Sequence, residues 1–264
     1  MSRCLKILTV ITVLIFLTGV GFLLFPPVSN CVGGIQADSA ANKLDEVKEN
    51  VQESVVVKGK KITSVEQLEK EPDTWVTDEN GNPVVFKRDI ERLREDSLKY
   101  NKRLLTKQGS EAMIGFERAA LNLQKYGIFD GVYCYITAPD IGLRLPVYLG
   151  SSEQKMSYGA AHMFGTSLPT GGKATNSAIA GHTGYIGRIF FDNIRSLKVG
   201  SEVIVTTYWS RLHYKVTGST VITPTDTKDL VLDGDSQKLE LLTCIDNGKG
   251  GFDRYVVLCE RAKN

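Results

Sequence analysis

From Val132 onward the chain is a succession of short apolar segments separated by glycine, proline and aspartate residues. Apolar and polar side chains alternate within several segments, and a period of two residues is typical of strands with two unlike faces. The predicted strands cover residues 132–138, 143–149, 176–181, 202–208, 212–222, 238–245 and 254–260. Many short strands with turns between them indicate a mainly β domain, either a sandwich or a barrel.

The predicted strand at Lys238–Asp246 carries a cysteine near its end. The glycine-rich segment 247–251 follows and ends the strand, because so many glycines resist regular pairing. The next strand begins at Arg254, and pairing of the two strands across the loop brings Arg254 near Cys244. A thiol beside a cation is a candidate nucleophile, because the cation stabilises the reactive thiolate.

A second apolar segment ends in Gly181-His182. A cysteine, a histidine and an arginine at strand ends supply a nucleophile, an acid/base group and an oxyanion donor. A lone cysteine in an apolar strand is more often a core residue, since free cysteines are among the most buried residues. The prediction of a catalytic site therefore depends on Cys244, His182 and Arg254 together.

These residues and several neighbouring motifs resemble the sortases, the cysteine transpeptidases of Gram-positive cell surfaces. The resemblance runs from about Val132 to the C-terminus. The phrase Gly165-Thr-Ser-Leu-Pro-Thr-Gly-Gly172 is most similar to class C, the pilin-polymerising sortases. The motifs are Leu242-Thr243-Cys244 with Arg254, Ala180-Gly181-His182, Ile136-Thr-Ala-Pro139, Leu145-Pro-Val-Tyr-Leu-Gly150, His162-Met-Phe-Gly-Thr-Ser-Leu-Pro169 and Phe191-Asp-Asn-Ile-Arg-Ser-Leu-Lys-Val-Gly200.

The resemblance implies a closed barrel of about eight strands with short helices. It also implies that Cys244, His182 and Arg254 are catalytic, and that the enzyme cleaves an LPxTG-like sorting signal of a surface or pilin protein through a thioacyl intermediate. The acceptor would be an amine, either a pilin lysine or a cell-wall precursor. No cofactor or metal is implied. Leu242, Thr243 and Phe252 are the candidate substrate-binding residues.

The remaining histidines and cysteines have structural interpretations. His162 is an alternative acid/base group near the same end of the fold, whereas His213 belongs to an alternating strand and is expected to be exposed. Cys134 and Cys259 lie within predicted strands and are expected in the core. Five cysteines at irregular positions give no disulfide framework.

The N-terminal region contains 19 consecutive uncharged residues, from Ile7 to Phe25. A helix of this length spans a hydrocarbon core of about 30 Å. Arg3 and Lys6 precede the run and no basic residue follows before Lys43, so the positive-inside rule predicts a cytoplasmic N-terminus and an extracellular catalytic domain. A cleaved signal peptide would fit less well, because its apolar region is usually shorter and a small-residue cleavage site follows it.

The segment 38–72 carries 14 charged side chains and no aromatic residue. Such a composition buries too little apolar surface to offset its ordering entropy, so we expect a tether with a transient helix around residues 40–52. The predicted organisation is a cytoplasmic tail (1–6), a transmembrane anchor (7–25), a polar extracellular tether (26–72), an N-terminal hairpin with helices (73–127) and the catalytic barrel (128–264).

Two predictions concern the region between tether and barrel. Asn80-Gly81 between apolar flanks predicts a hairpin, and this hairpin is a candidate lid although the usual Asp-Pro-aromatic motif of class C is missing. Two antiparallel helices are expected to follow it. Their apolar faces are Ile90, Leu93, Ser97, Tyr100 and Leu104 in the first and Met113, Phe116, Ala120 and Leu123 in the second, with Gly127 at its end.

The sequence leaves several classes of protein open. The net charge of +2 gives no reason to expect nucleic-acid binding. Another extracellular Cys–His acyltransferase, such as an L,D-transpeptidase, has its histidine closer to its cysteine than the 62 positions here. A cell-wall-anchoring sortase is compatible with the same residues, and so is a non-catalytic barrel that binds sorting peptides.

Overall fold

The structure is a computed structural model that describes residues 3–68, 76–77, 83–106, 116–185, 187–224 and 236–262. Its α-helices are α1 (Arg3–Glu49), α2 (Val65–Leu68), α3 (Lys87–Thr106) and α4 (Glu153–Met156). Its strands are β1 (Val55–Val57), β2 (Lys60–Ile62), β3 (Val132–Ala138), β4 (Leu143–Leu149), β5 (Ala160–His162), β6 (Thr175–Ala180), β7 (Glu202–Thr207), β8 (Arg211–Ile222), β9 (Gln237–Asp246) and β10 (Phe252–Arg261). Short 3₁₀ helices cover Leu123–Tyr126, Pro139–Ile141 and Ile194–Ser196.

Strands β3–β10 form a closed barrel in the order β10-β8-β7-β3-β4-β5-β6-β9. The predicted mainly β fold and its closure are therefore confirmed. Each predicted strand is present with bounds within two residues, because its alternating apolar side chains cover the barrel interior. Strand β5 was missed, since three residues are too few to show a periodicity.

Two of the pairings in the barrel are parallel, β4 with β5 and β6 with β9. Parallel neighbours need a crossover connection, and the β4–β5 connection contains α4. Strand β9 then pairs antiparallel with β10 across the glycine-rich segment. These pairings bring the carboxyl ends of β6 and β9 and the first residues of β10 to one edge of the barrel.

Helix α3 packs on the barrel through the face that the sequence predicts. Ser97 is fully buried, and its hydroxyl accepts a hydrogen bond from the Tyr133 hydroxyl at 2.9 Å. Asn101 makes two hydrogen bonds with the backbone of Leu168, as donor at 2.9 Å and as acceptor at 2.8 Å. These hydrogen bonds fix the position of the helix, because a buried polar group that lost its hydrogen-bond partner would lower the stability of the fold.

The second predicted helix differs from the structure. Residues 107–115 lie outside the described residues, and 116–122 form turns and bends. Only Leu123–Tyr126 is helical, as a 3₁₀ turn that Gly127 ends in the left-handed conformation, at φ 78°. Of the predicted apolar face, Leu123 is buried and Phe116 and Ala120 are partly buried, although the segment 116–122 follows an irregular path.

Helix α1 extends far beyond the predicted transmembrane segment. The segment 38–49, expected to lack stable structure, is helical, and Ala37, Ala41 and Leu44 are buried. Asp45 accepts a hydrogen bond from the Tyr135 hydroxyl at 2.8 Å. The composition of the whole segment is polar, so it did not show this apolar stripe. The stripe residues Ala37, Ala41 and Leu44 are spaced by four and three positions, as on one face of a helix. The predicted boundaries at residues 25 and 72 stay predictions, and α1 crosses the first of them.

A small second cluster packs beside α3. Strands β1 and β2 pair with each other, and Thr77 pairs antiparallel with Pro83, which is the pairing expected of the predicted hairpin. Phe86 and Val84 are buried there with Val65. The turn of the hairpin, Asn80-Gly81, and Trp75 lie outside the described residues, so the lid hypothesis stays a prediction.

We expect the buried face of α3 to dominate its contribution to stability. Leu93 is fully buried and Leu98 on the same helix is 42% exposed. Leu93→Ala should lower the free energy of unfolding by about 2–5 kcal/mol, because it leaves a cavity in a packed interface. Leu98→Ala should change it by about 0.5 kcal/mol or less. Urea unfolding of the full chain in a non-ionic detergent measures both, and equal effects would contradict the packing described here.

Candidate active site

Hydrogen bonds hold the carboxyl ends of β6 and β9 together. These bonds continue as far as Gly181 and Thr243, the residues just before His182 and Cys244. Ala180 pairs with Leu242 in the parallel register, and the Gly181 N–H donates to the Leu242 carbonyl at 3.0 Å. The buried Thr243 hydroxyl donates to the Gly181 carbonyl at 2.8 Å. His182 and Cys244 are therefore the first side chains beyond a continuous set of hydrogen bonds between two neighbouring strands.

Cys244 and Arg254 face each other across the β9–β10 pair. They are direct partners in the antiparallel register, and the Arg254 Nη1 donates to the Cys244 Sγ at 3.2 Å. Both side chains are half-buried. The arrangement predicted from the glycine-rich loop is present, and it places a permanent cation in contact with the thiol.

The glycine-rich segment between these strands is an ordered turn. Asn247 Oδ1 accepts hydrogen bonds from the N–H groups of Lys249, at 2.9 Å, and Gly251, at 3.1 Å. Asp246 Oδ1 accepts one from the Gly248 N–H at 2.7 Å. Since the exposed Asp246 carboxylate is engaged with the turn, it contributes to holding β9 and β10 in register.

His182 is the first residue of a loop that is held by hydrogen bonds between its own residues. The Phe191 N–H donates to the His182 carbonyl at 2.9 Å. Asp192 closes the loop, since its two carboxylate oxygens accept from the Gly184 N–H at 2.7 Å and the Phe190 N–H at 3.0 Å. The Tyr185 ring stacks on the His182 imidazole at 5.2 Å between centroids. The loop therefore fixes both the backbone and the ring of His182.

A glycine is needed at position 181 because the Phe191 ring lies against its backbone, and not because of its backbone angles. A Cβ at this position would lie 2.7 Å from the Phe191 ring, and that ring is fully buried. Phe191 thus packs directly on the backbone that leads into His182. Sequence reasoning missed the roles of Phe191, Asp192 and Tyr185, because their contacts with the histidine loop depend on its folded path.

His182, Cys244 and Arg254 line one cavity of about 270 Å³. Leu242 and Thr243, both 3% exposed, line it as well. Among the described residues, the buried His182 Nε2 has no hydrogen-bond partner, so this nitrogen is available for proton transfer. The other lining residues are Phe116, Ser151, Met156, Met163, Ala180, Gly181, Ile222, Thr223 and Pro224.

Two of the candidate residues do not line the cavity. Phe252 is 62% exposed, opposite Asp246 in the β9–β10 pair, and is not among the residues that line the cavity. His162 is fully buried in β5, and its Nε2 is 3.0 Å from the Ser167 carbonyl. Burial lowers the pKa of His162 to about 4, which makes it a neutral structural residue at physiological pH.

Cys134 and Cys259 lie in the core as expected, whereas His213, expected to be exposed, is half-buried. Cys134 and Cys259 are buried, and burial raises the pKa of Cys259 to about 12. Burial also raises the pKa of Cys134. His213 Nδ1 lies 3.0 Å from Glu202 on the neighbouring strand β7. Among the four thiols that the structure describes, Cys244 is the one that contacts a cation at a cavity.

Comparison with known proteins gives one consistent family. The family profile described as Sortase domain matches residues 136–262. Sortase A of Bacillus anthracis is 34% identical over 122 residues, which cover 46% of this chain and 56% of that relative. The crystal structure of sortase C-1 from Actinomyces oris is 30% identical, with a TM-score of 0.58, and covers 66% of this chain and 99% of that chain.

A further solved structure matches a larger share of the chain. Sortase C from Clostridium perfringens SM101 is 27% identical, with a TM-score of 0.56, and covers 76% of this chain and 99% of that chain. With the closed barrel and the cavity described above, these matches show that the chain belongs to the sortase family of cysteine transpeptidases. The structural likeness is to class C, as the segment Gly165–Gly172 predicts.

Buried His162 should make stability depend on pH. The unfolded histidine has a pKa of about 6.5, so the unfolded chain binds more protons than the folded chain between pH 6.5 and about 4. The stabilisation is complete above pH 6.5 and is lost as the pH falls, by up to about 3 kcal/mol. His162→Gln should remove this part of the pH dependence of the unfolding free energy. His213→Gln is the control, and a His162→Gln slope equal to wild type would contradict the assignment.

Gly181→Ala should destabilise the chain, because the new methyl group must displace the buried Phe191 ring. We expect a loss of about 1–3 kcal/mol of unfolding free energy, as for overpacking elsewhere. A Cβ on Gly218 in β8 would have no atom within 4 Å, so Gly218→Ala is the matched control and should be close to neutral. A neutral Gly181→Ala variant would show that Phe191 does not constrain this backbone.

Proposed function

We propose that the chain is a membrane-anchored, extracellular cysteine transpeptidase that cleaves an LPxTG-like sorting signal and transfers the protein to an amine. The observation that carries the proposal is the 3.2 Å contact from the Arg254 guanidinium to the Cys244 thiol, in a cavity that His182 also lines. A nucleophile, an acid/base group and a cation at one cavity are the components that acyl transfer requires.

In the first half of the reaction the Cys244 thiolate attacks the carbonyl carbon of the Thr–Gly peptide bond. A C–S bond forms and the carbonyl oxygen becomes an oxyanion. Arg254 stabilises this charge or holds the substrate backbone, and it stabilises the thiolate before attack. His182 donates a proton to the departing amine as the C–N bond breaks. The product is a thioacyl enzyme and a free amine.

In the second half an incoming amine attacks the thioacyl carbon. His182 accepts a proton from this amine, a C–N bond forms, and Cys244 leaves as the thiolate. The imidazole returns to the protonated state in which it began. The free Nε2 of His182 and its stacking on Tyr185 suit a ring that must keep one orientation through both steps.

The walls of the cavity suit an apolar peptide. The side chains of Met163, Ile222 and Leu242 line it, and such a surface favours the leucine and proline of an LPxTG-like signal. Thr243 already donates to Gly181, so it shapes the wall next to the nucleophile. Phe252 is exposed at the start of β10, where it contacts the peptide only outside the cavity.

The acceptor is either a pilin lysine or a cell-wall precursor amine. Class C structural relatives favour pilin assembly, and the curated relatives from Bacillus anthracis and Streptococcus agalactiae carry the name Sortase A. Wall anchoring of surface proteins is therefore the second candidate function. The barrel chemistry is the same for both, since they differ only in the amine that attacks the thioacyl enzyme.

Helix α1 supports the membrane part of the proposal. The helical stretch Lys6–Glu49 contains an apolar segment long enough to cross a membrane, and none of that segment is buried against the protein. Basic residues precede the apolar segment and none follows before Lys43, which favours a cytoplasmic N-terminus and an extracellular barrel. We therefore propose a single-pass protein of the Gram-positive cell membrane.

The test is cleavage of a quenched fluorescent LPxTG-type peptide by the full chain in detergent. Cys244→Ala and His182→Ala should abolish cleavage, because they remove the nucleophile and the proton donor. Arg254→Ala should lower the rate by about 10²–10³, as loss of an oxyanion donor does elsewhere. The matched controls are Cys31→Ser and His213→Gln, which should cleave like wild type.

The same assay distinguishes the competing functions. Wild-type cleavage that survives in Cys244→Ala would overturn the mechanism. Absent cleavage with a Cys244 that reacts freely with a small thiol reagent would favour a different sorting motif or a barrel that only binds peptides. With cleavage established, pilin-lysine and glycine-amine peptides offered in competition identify the acceptor by the mass of the product.

A further inference from the structure

The loop that carries His182 packs directly against helix α1. Arg188 Nη2 donates to Gln36 Oε1 at 2.7 Å. Gly33 lies so close to the loop that a Cβ there would be 2.7 Å from the Gly187 carbonyl oxygen. A Cβ on Gly187 would in turn collide with the Ser29 hydroxyl. The helix that holds the apolar segment is thus also the surface on which the histidine loop rests.

The part of α1 that makes these contacts carries no charge. Residues 7–37 are 31 consecutive uncharged positions, a helix of about 46 Å at 1.5 Å per residue, whereas the hydrocarbon core is about 30 Å thick. Val28, Val32 and Ile35 are 57%, 47% and 63% exposed, and their spacing of four and three residues forms one apolar stripe. An apolar helix longer than the core enters the interface or tilts.

The histidine loop presents side chains of the same character. Tyr185 is 37% exposed and Ile189 is 53% exposed. Tyr158, also 53% exposed, lies beside the loop, with the Arg188 guanidinium 5.6 Å from its ring centroid. Tyrosine and arginine are favoured at the boundary between hydrocarbon and water, where an apolar body and a polar end are both satisfied.

We propose that Tyr158, Tyr185, Arg188 and Ile189 form a surface that binds the interfacial layer of the phospholipid bilayer. We call these four residues the interfacial patch. Helix α1 then holds the mouth of the cavity at the membrane surface, and a peptide reaches Cys244 within or next to the headgroup layer. This inference rests on the proposed membrane anchoring of α1.

The position of the interfacial patch beside the apolar part of α1 indicates that it binds lipid. The interfacial patch lies next to the Ser29–Gln36 turns of α1, and about 12 Å of helix separates Phe25 from Gly33. No charged side chain precedes Asp38 in the run that begins at Ile7, so nothing in the sequence of this segment keeps it away from lipid. A lipid surface therefore meets the exposed stripe of α1 and the interfacial patch together.

Fluorescence quenching by lipid measures the position of the patch. The full chain is reconstituted into phosphatidylcholine vesicles with or without bromine on the acyl chains, as Ile189→Trp, Tyr158→Trp or wild type. Val56→Trp is the matched control, because Val56 is a 74% exposed aliphatic residue beyond the far end of α1. We expect brominated lipid to cause a loss of Ile189→Trp and Tyr158→Trp emission and no loss for Val56→Trp beyond that of wild type.

Flotation of the vesicles reports membrane binding and peptide cleavage reports catalysis. Measured together with quenching, they distinguish failure of the inference from failure of the proposed function. Protein that floats and cleaves, with no quenching at residues 158 and 189, overturns the inference and leaves the proposed function standing. Protein that does not float overturns both the anchor and the inference. Quenching without cleavage supports the inference and contradicts the proposed function. Emission that changes with protein concentration instead of bromine assigns the patch to a second copy and overturns the inference.

Two adjacent glycines of α1 test whether the helix positions the loop. A Cβ at Gly33 meets the loop, whereas a Cβ at Gly34 has open space. Both alanine substitutions improve helix propensity equally, so they differ only in this contact. In the Ile189→Trp chain, Gly33→Ala should reduce quenching by brominated lipid and Gly34→Ala should not. Equal quenching in the two variants would show that α1 does not hold the loop at the membrane.

Discussion

The parallel pairing of β6 with β9 is the constraint on which the site depends. His182 and Cys244 are far apart in sequence, and the hydrogen bonds of Gly181 to Leu242 and Thr243 bring their backbones together. The antiparallel β9–β10 pair adds Arg254 opposite Cys244. Three side chains, on β9, on β10 and just beyond the end of β6, therefore line one cavity at one edge because the barrel closes in this order.

The loop after β6 holds the His182 imidazole in a defined position relative to the paired strands. Asp192 ties two N–H groups of the loop, Phe191 packs on Gly181, and Tyr185 stacks on the ring. A ring held in this way loses little entropy when it transfers a proton, which favours proton transfer in one geometry. The catalytic proposal thus draws on residues that touch neither Cys244 nor Arg254.

Helix α1 joins two parts of the chain that the sequence suggested were separate. Its C-terminal half belongs to the core through Ala37, Ala41 and Leu44, and Arg144 contacts it through an ion pair with Asp45 at 3.2 Å. Its N-terminal half is apolar and exposed. Under the proposed membrane anchoring, a helix that continues into the core would hold the barrel in a less variable position than a flexible linker does.

The sequence by itself determined the mainly β class, the Cys244–Arg254 pair and the buried face of α3, because each depends on local periodicity or on a short hairpin. The apolar segment that ends in Gly181-His182 made this histidine a candidate, and the resemblance to sortases supplied the closed barrel and the catalytic partnership of His182 with Cys244. Only the tertiary structure decided the short strand β5, the irregular path of 116–122, the helix over 38–49 and the position of Phe252 outside the cavity. These features depend on what each segment packs against, and contacts between distant segments leave no period in the sequence.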